Sequence, residues 1–162
     1  MIRAAVPADL PAVLDVYRQA RAFMAANGNP TQWGTTYPEP ELVEEDIRLG
    51  RLFVDTEQGR ICGAFMFALG EDPTYSYIEN GAWLDHSPYA TIHRVAGDGT
   101  VPGLLKRCVA FCRSQHHHLR IDTHPDNHIM QKLIAREGFT LCGTIYVEDG
   151  SPRLAYEWLN TK

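Results

Sequence analysis

Few residues in this chain have the types and settings that chemistry needs. His93 lies in Tyr89-Ala90-Thr91-Ile92-His93-Arg94-Val95-Ala96, an apolar run that reads as a strand. An imidazole changes charge near neutrality, so His93 could take a proton directly or through water, or serve as a structural strand histidine. His116-His117-His118 looks like a metal site at first sight. Adjacent histidines in an extended segment point in alternating directions, however, and no matching Cys/His set lies nearby, so no metal is expected. Cys108 and Cys112 share one helix face and read as core residues rather than a redox or metal pair. Gly97-Asp98-Gly99 turns the chain into a helix near 101–115, and a helix N-terminus attracts phosphate. A plain strand-to-helix turn would look the same.

The element that must position a site is clearest at 119–139, LRIDTHPDNHIMQKLIAREGF. Leu119-Arg120-Ile121-Asp122 alternates as a half-buried strand does. Pro125 cannot continue a ladder, and Asp126 or Asn127 can cap the helix that follows. Ile129, Met130, Leu133 and Ile134 recur at helical spacing, and Gly138 sits where a left-handed C-cap is wanted. This block resembles the CoA-contacting half of the GNAT superfamily of N-acetyltransferases. The family pattern there is a strand ending in an acidic residue, an Asn, a helix and a Gly-Phe pair. The matching places are Asp122-Thr123, Asn127 and Gly138-Phe139.

The rest of the chain supplies β-α-α-β-β-β-α-β-α-β-β. A short strand at 2–5 precedes a helix that Asp9 caps and that runs toward Phe23-Met24. Residues 31–38 form a loop, Pro40 starts a second helix, and Glu57-Gln58-Gly59-Arg60 joins two strands as a hairpin. Residues 70–88 are irregular, and the last two strands lie near 141–147 and 153–159. The expected fold is α+β, a GNAT-like mixed sheet with helices on both faces, in one domain spanning 1–162.

The resemblance implies acetyl-CoA as cosubstrate. The strand through Arg94 and Val95 would pair with the pantetheine arm. The amides of Val101, Gly103, Leu104 and Leu105 would hold the pyrophosphate, with Asn127 also on the cofactor side. The family loop is Gln/Arg-x-x-Gly-x-Gly/Ala, and here only Gly103 matches it. Thr100 and Leu105 depart from the pattern, and Pro102 lacks an N–H. Acetyl transfer also needs a base to deprotonate the amine. The resemblance implies Asp122 for that role; a solvated or salt-bridged carboxylate is its plain alternative. His93 is a second candidate and Glu79 a third. The family's usual acid, a tyrosine, falls at Ile134, which cannot donate a proton. Tyr77, Tyr146 or water would then have to protonate the thiolate. Trp33, Tyr37, Tyr75 and Tyr77 lie in segments resembling the variable acceptor-binding parts, where they could form an acceptor pocket, as Trp33, Tyr37 and Tyr77 are expected to, or pack loops onto the core.

Bulk properties bound the partners. The chain has 162 residues, 44% hydrophobic and 22% charged, which suits one soluble domain with one core. A net charge of −5, with scattered basic residues, does not suit nucleic acid. No apolar run approaches the roughly 20 residues a membrane helix needs, and the first ten residues lack a secretory h-region. The four cysteines, at 62, 108, 112 and 142, are expected reduced, and the location cytoplasmic. The expected activity is direct transfer from acetyl-CoA to a small-molecule or peptide amine in a ternary complex. A catalytically weak or inactive acyl-CoA binding or sensing domain is the alternative. A homodimer pairing the final strands is compatible with the sequence.

Overall fold

The computed structural model describes residues 1–161. Its strands and helices follow the expected order: β1 (Ile2–Ala4), α1 (Leu10–Ala26), α2 (Pro40–Arg48), β2 (Leu52–Glu57), β3 (Arg60–Leu69), β4 (Ala90–Gly97), α3 (Leu104–Gln115), β5 (His118–Thr123), α4 (His128–Arg136), β6 (Thr140–Tyr146) and β7 (Pro152–Leu159). Short 3-10 turns at Pro7–Asp9 and Pro73–Tyr75 are added to it. The seven strands form one sheet in the order β1-β2-β3-β4-β5-β7-β6, and only the β4–β5 pair is parallel.

Local chemistry explains most boundaries. Gln58 and Gly59 both take positive φ, 51° and 78°, which is the tight turn that matches strand twist in the β2–β3 hairpin. Asn127 caps α4 by accepting the Met130 N–H at 3.0 Å, and Gly138, at φ 86°, ends it. Two expectations are corrected. Helix α3 starts at Leu104 rather than near 101, because Gly103 sits at φ 85° and cannot belong to the helix. Asp9 does not cap α1 with its side chain. Its carboxylate is turned back to Arg3, at 2.7 and 3.1 Å, and to the Val6 N–H at 2.8 Å.

Each sheet face carries a core. Phe65, Ile92, Leu119 and Tyr156 pack with Cys108, Cys112 and Ile134 of α3 and α4. Val13, Tyr17 and Val43 of α1 and α2 pack with Leu52 and Val54. Burying each large apolar side chain is worth roughly 1.5–3 kcal/mol, which holds the two layers to the sheet. All four cysteines are free and buried.

The feature that makes a site is a split in this sheet. The β4–β5 ladder has three pairs, Ala90↔Leu119 to Ile92↔Ile121, and then ends. Beyond Ile92, β4 carries a bulge, between the pairs Met66↔His93 and Ala64↔Ala96, with Arg94 at φ 52°. A non-glycine residue in that region costs about 1–3 kcal/mol and persists only where neighbours hold it. Here the neighbours are specific. The Tyr17 hydroxyl donates to the Arg94 carbonyl at 2.9 Å, and the Arg94 guanidinium makes two bonds to buried Asp46, at 2.9 and 3.0 Å. Arg51 adds a third bond to the same carboxylate at 2.7 Å.

Candidate active site

Two cavities meet at the split. One, of about 790 Å³, opens on the side of Trp33, Tyr37, His93, Asp122 and Arg153. The other, of about 820 Å³, lies between the ends of α1, α3 and α4. Met24, Val95, Asn127 and Met130 line both, so the cavities meet where α1 and the start of α4 flank β4 just past its last pair with β5.

At the first cavity two hydrogen-bonded sets of side chains face each other, His93 with Asp72 and Thr74, and Asp122 with Tyr75. His93, the first residue of β4 beyond its ladder with β5, places Nε2 2.6 Å from Asp72 Oδ2. Asp72 Oδ1 accepts the Thr74 N–H and hydroxyl at 2.9 and 2.7 Å. Burial raises the Asp72 carboxyl, but the bonds and charge of His93 and the bonds from Thr74 outweigh it and hold the group well below the usual carboxylate range. Asp72 is therefore an acceptor only, and Nε2 must carry the hydrogen between them. That leaves the lone pair of the neutral ring on Nδ1. Nδ1 lies 3.6 Å from Asp122 Oδ2, beyond a direct hydrogen bond. Asp122 Oδ2 also accepts the Tyr75 hydroxyl at 2.6 Å. Burial first, and then the Asp122 charge, push the Tyr75 phenol well above its ordinary value, so it stays the donor. A substrate nitrogen with two N–H groups, held about 2.8–2.9 Å from each of Nδ1 and Oδ2, fits the apex of this triangle.

The second cavity has another character. Phe23, Leu104, Ile129 and Leu133 give it apolar walls, and Lys106 and Arg136 add positive charge. Gly103 is the N-cap of α3 and no side chain caps that helix, so the first-turn N–H groups are open to an acceptor. The departures from the family loop do not fill this space. The Leu105 side chain is buried in the core, and the Leu104 side chain packs against Gly63 and Gly97.

The sequence-derived candidates divide accordingly. His93, Asp122, Trp33, Tyr37 and the Arg94 side chain line the first cavity. Val101, Gly103, Leu104 and Leu105 line the second, and Val95 and Asn127 line both. Asn127 also reaches across the mouth, donating to Gln32 Oε1 at 3.0 Å. Trp33 has a second duty in the α1–α2 core, edge-on to Tyr17 with ring centroids 5.6 Å apart. Glu79 and Tyr77 do not reach the cleft. Glu79 pairs its backbone with Thr144 of edge strand β6 at 2.8 Å, which carries this segment to the outer side of the sheet. There its carboxylate accepts the Tyr77 and Tyr146 hydroxyls at 2.5 and 2.6 Å. Ile134 is buried in the core beneath α4 and lines neither cavity. Asp72, the Tyr75–Asp122 bond and Arg153 were not singled out from the sequence. Asp72-Pro73-Thr74 has a turn signature only, and nothing local marks it as a partner of a residue 21 positions away.

No family model matches the chain, and no curated protein does. Solved structures do. A GNAT-family acetyltransferase from Streptococcus agalactiae is 28% identical, with a TM-score of 0.91, over 100% of this chain and 96% of that one. This chain shares the fold of that GNAT-family enzyme from end to end. The α+β architecture with its single parallel pair is thus the GNAT sheet. A putative acetyltransferase from Staphylococcus aureus Mu50 shares the fold at 24% identity and a TM-score of 0.70, over 98% of each chain. The yncA putative acetyltransferase from Salmonella typhimurium, solved with acetyl-CoA, shares it at 20% and 0.59, over 100% of this chain and 95% of that one. Among the described residues no group of three or more His, Cys, Asp or Glu is placed to hold a metal ion, and no helix is long and apolar enough to cross a membrane.

Proposed function

We propose that this GNAT-fold protein transfers the acetyl group of acetyl-CoA to an amine by direct attack in a ternary complex. The observation that carries the reading is the meeting of the two cavities at the β4–β5 split, with His93 Nδ1 and Asp122 on the wall of one and the open α3 N-terminus on the other. Acetyl-CoA would lie in the apolar cavity with its phosphates near the α3 amides and Lys106, and its pantetheine arm along β4 beyond Ile92. The fit supports this: the chain between His93 and Gly97 has no β5 partner beside it, so its polar groups can pair with an extended ligand.

The acceptor would enter as an ammonium, drawn by the carboxylates of Glu71, Asp72, Asp122, Glu148 and Asp149 in the other cavity. His93 Nδ1 takes one proton while Asp122 holds a second N–H. The freed lone pair attacks the thioester carbonyl, the C–S bond breaks, and the thiolate leaves. As the C–S bond breaks, the acylated nitrogen gives up its second proton to solvent, and solvent protonates the thiolate, since Ile134 offers nothing and Tyr77 and Tyr146 are committed to Glu79 outside the cleft. Asp72 is a positioning residue that fixes the His93 tautomer.

Calorimetric titration with acetyl-CoA and CoA, followed by an amine screen with thiol detection, tests the reading. His93→Gln is expected to lower kcat by about 100- to 10,000-fold with acetyl-CoA binding kept. A variant within threefold of wild type would remove His93 from the mechanism. The buried isoleucine at the usual acid position favours a second reading, an acyl-CoA binding domain with little turnover. Tight acetyl-CoA binding without thiol release from any amine would select it.

A further inference from the structure

The acceptor cavity holds one cation whose charge is not spent. Arg51 and Arg94 are both bound to Asp46, and His93 to Asp72. Arg153, on β7, is 8% exposed and lines the same cavity. Among the described residues, its only hydrogen bonds run from one terminal nitrogen, to the Ser151 hydroxyl at 3.1 Å and the Pro152 carbonyl at 2.8 Å. Those bonds fix the guanidinium plane. Ser151 is itself held by Asp149, which accepts its hydroxyl at 2.5 Å and its N–H at 2.9 Å. Among the described residues the other edge of the guanidinium, Nε and the second terminal nitrogen, has no hydrogen-bond partner and no paired carboxylate. Burying a cation without a paired anion is costly, so such an edge is matched to an incoming one. Burial lowers the Arg153 value, opposed by the charges of Asp122 and Asp149.

Register sets the spacing. Asp122 stands opposite Ala155 on β7, and Leu154 and Tyr156 turn to the α3–α4 core. Arg153 therefore shares the Asp122 face as its diagonal neighbour, where Cα atoms lie roughly 7–8 Å apart. A group bridging the two must present an amine at one end and an anion at the other, a few ångströms away.

We infer that the acceptor is an amine that also carries a carboxylate, in the manner of an amino acid, with the ammonium between His93 and Asp122 and the carboxylate forked on the free edge of Arg153. Planar guanidinium and carboxylate match bidentately. This rests on the acetyltransfer reading for which end reacts, but not for the binding of the carboxylate. The large cavity beyond, with Trp33 and Tyr37 on its wall, leaves room for a bulky side chain.

The test compares phenylalanine, phenylalaninamide and phenethylamine. The first arm is thermal stabilisation of the CoA complex by each, which needs no turnover. The second is thiol release from acetyl-CoA. Phenylalanine is expected to stabilise the complex, and to exceed the amide roughly 10- to 100-fold in kcat/KM, although the amide is the more easily deprotonated amine. Arg153→Met should raise the KM for phenylalanine by that factor with kcat nearly unchanged, and leave both uncharged-end amines as they were. Arg153→Lys should recover part of the loss. Discrimination in the stabilisation arm without thiol release keeps the carboxylate site and sinks the acetyltransfer reading. Thiol release with equal or better rates for the amide and phenethylamine does the reverse. If Arg153→Met weakens all three ligands alike, the inference is likewise overturned, whatever the wild-type preference.

Discussion

Asp46→Asn is the sharpest test of how the fold holds the cleft open. Asp46 is fully buried, and its carboxylate takes three guanidinium bonds, two from Arg94 and one from Arg51. The Arg94 side chain is 10% exposed and that of Arg51 30%. The amide leaves Arg94 as a nearly buried cation with no counterion, while Arg51 can turn to water. Removing one partner of a buried pair costs about 3–5 kcal/mol, most of it the stranded charge. For a domain of this size each kcal/mol lowers Tm by roughly 2–4 °C, so the expected fall is about 6–20 °C. The assay is thermal and urea unfolding of Asp46→Asn, Arg94→Gln and the double variant. Asp46→Asn/Arg94→Gln should be more stable than Asp46→Asn alone, because the second change removes the stranded charge. A loss below about 1 kcal/mol would refute the argument, since that is the worth of an exposed ion pair.

Three further outcomes follow from the geometry. The Asp72 carboxyl is held below its ordinary value, so its contribution to stability is full above the ordinary carboxylate range near pH 4 and is lost as pH falls through the lowered value. The urea midpoint of wild type should therefore fall between about pH 5 and 2 more steeply than that of Asp72→Asn; parallel profiles would contradict the assignment. Ile134→Tyr should not raise kcat and should destabilise by about 1–3 kcal/mol, because the site is full and faces the core. Rapid thiol release by that variant would show the side chain reaching the cleft. A Cβ on Gly81 would overlap the Cys142 carbonyl oxygen, so Gly81→Ala should cost roughly 3 kcal/mol in unfolding experiments; an unchanged midpoint would mean the 76–81 segment is free to move off β6.

How much of this was legible in the residues varies by element. Helix α4 was readable from end to end because its signals are local: an Asn that caps, apolar spacing of three and four, and a glycine that must go left-handed. The hairpin at Gln58-Gly59 was readable for the same reason. The start of α3 was misplaced by three residues, since proline at 102 suits a helix start as well as a loop, and only the positive φ of Gly103 decides between them. Asp9 sits where a cap belongs, but Arg3, brought near by β1, competes for its carboxylate and wins.

The site shows the same division more strongly. Chain order, the strand–turn–helix at 119–139, and His93 and Asp122 as proton-handling candidates are properties of short stretches, and the sequence alone determined them. The pairing of His93 with Asp72, the removal of Glu79 to the outer surface and the unspent charge of Arg153 are relations between segments 20 to 70 residues apart. Only the tertiary structure decided those, because each depends on which strand lies beside which and on where the β4–β5 ladder stops.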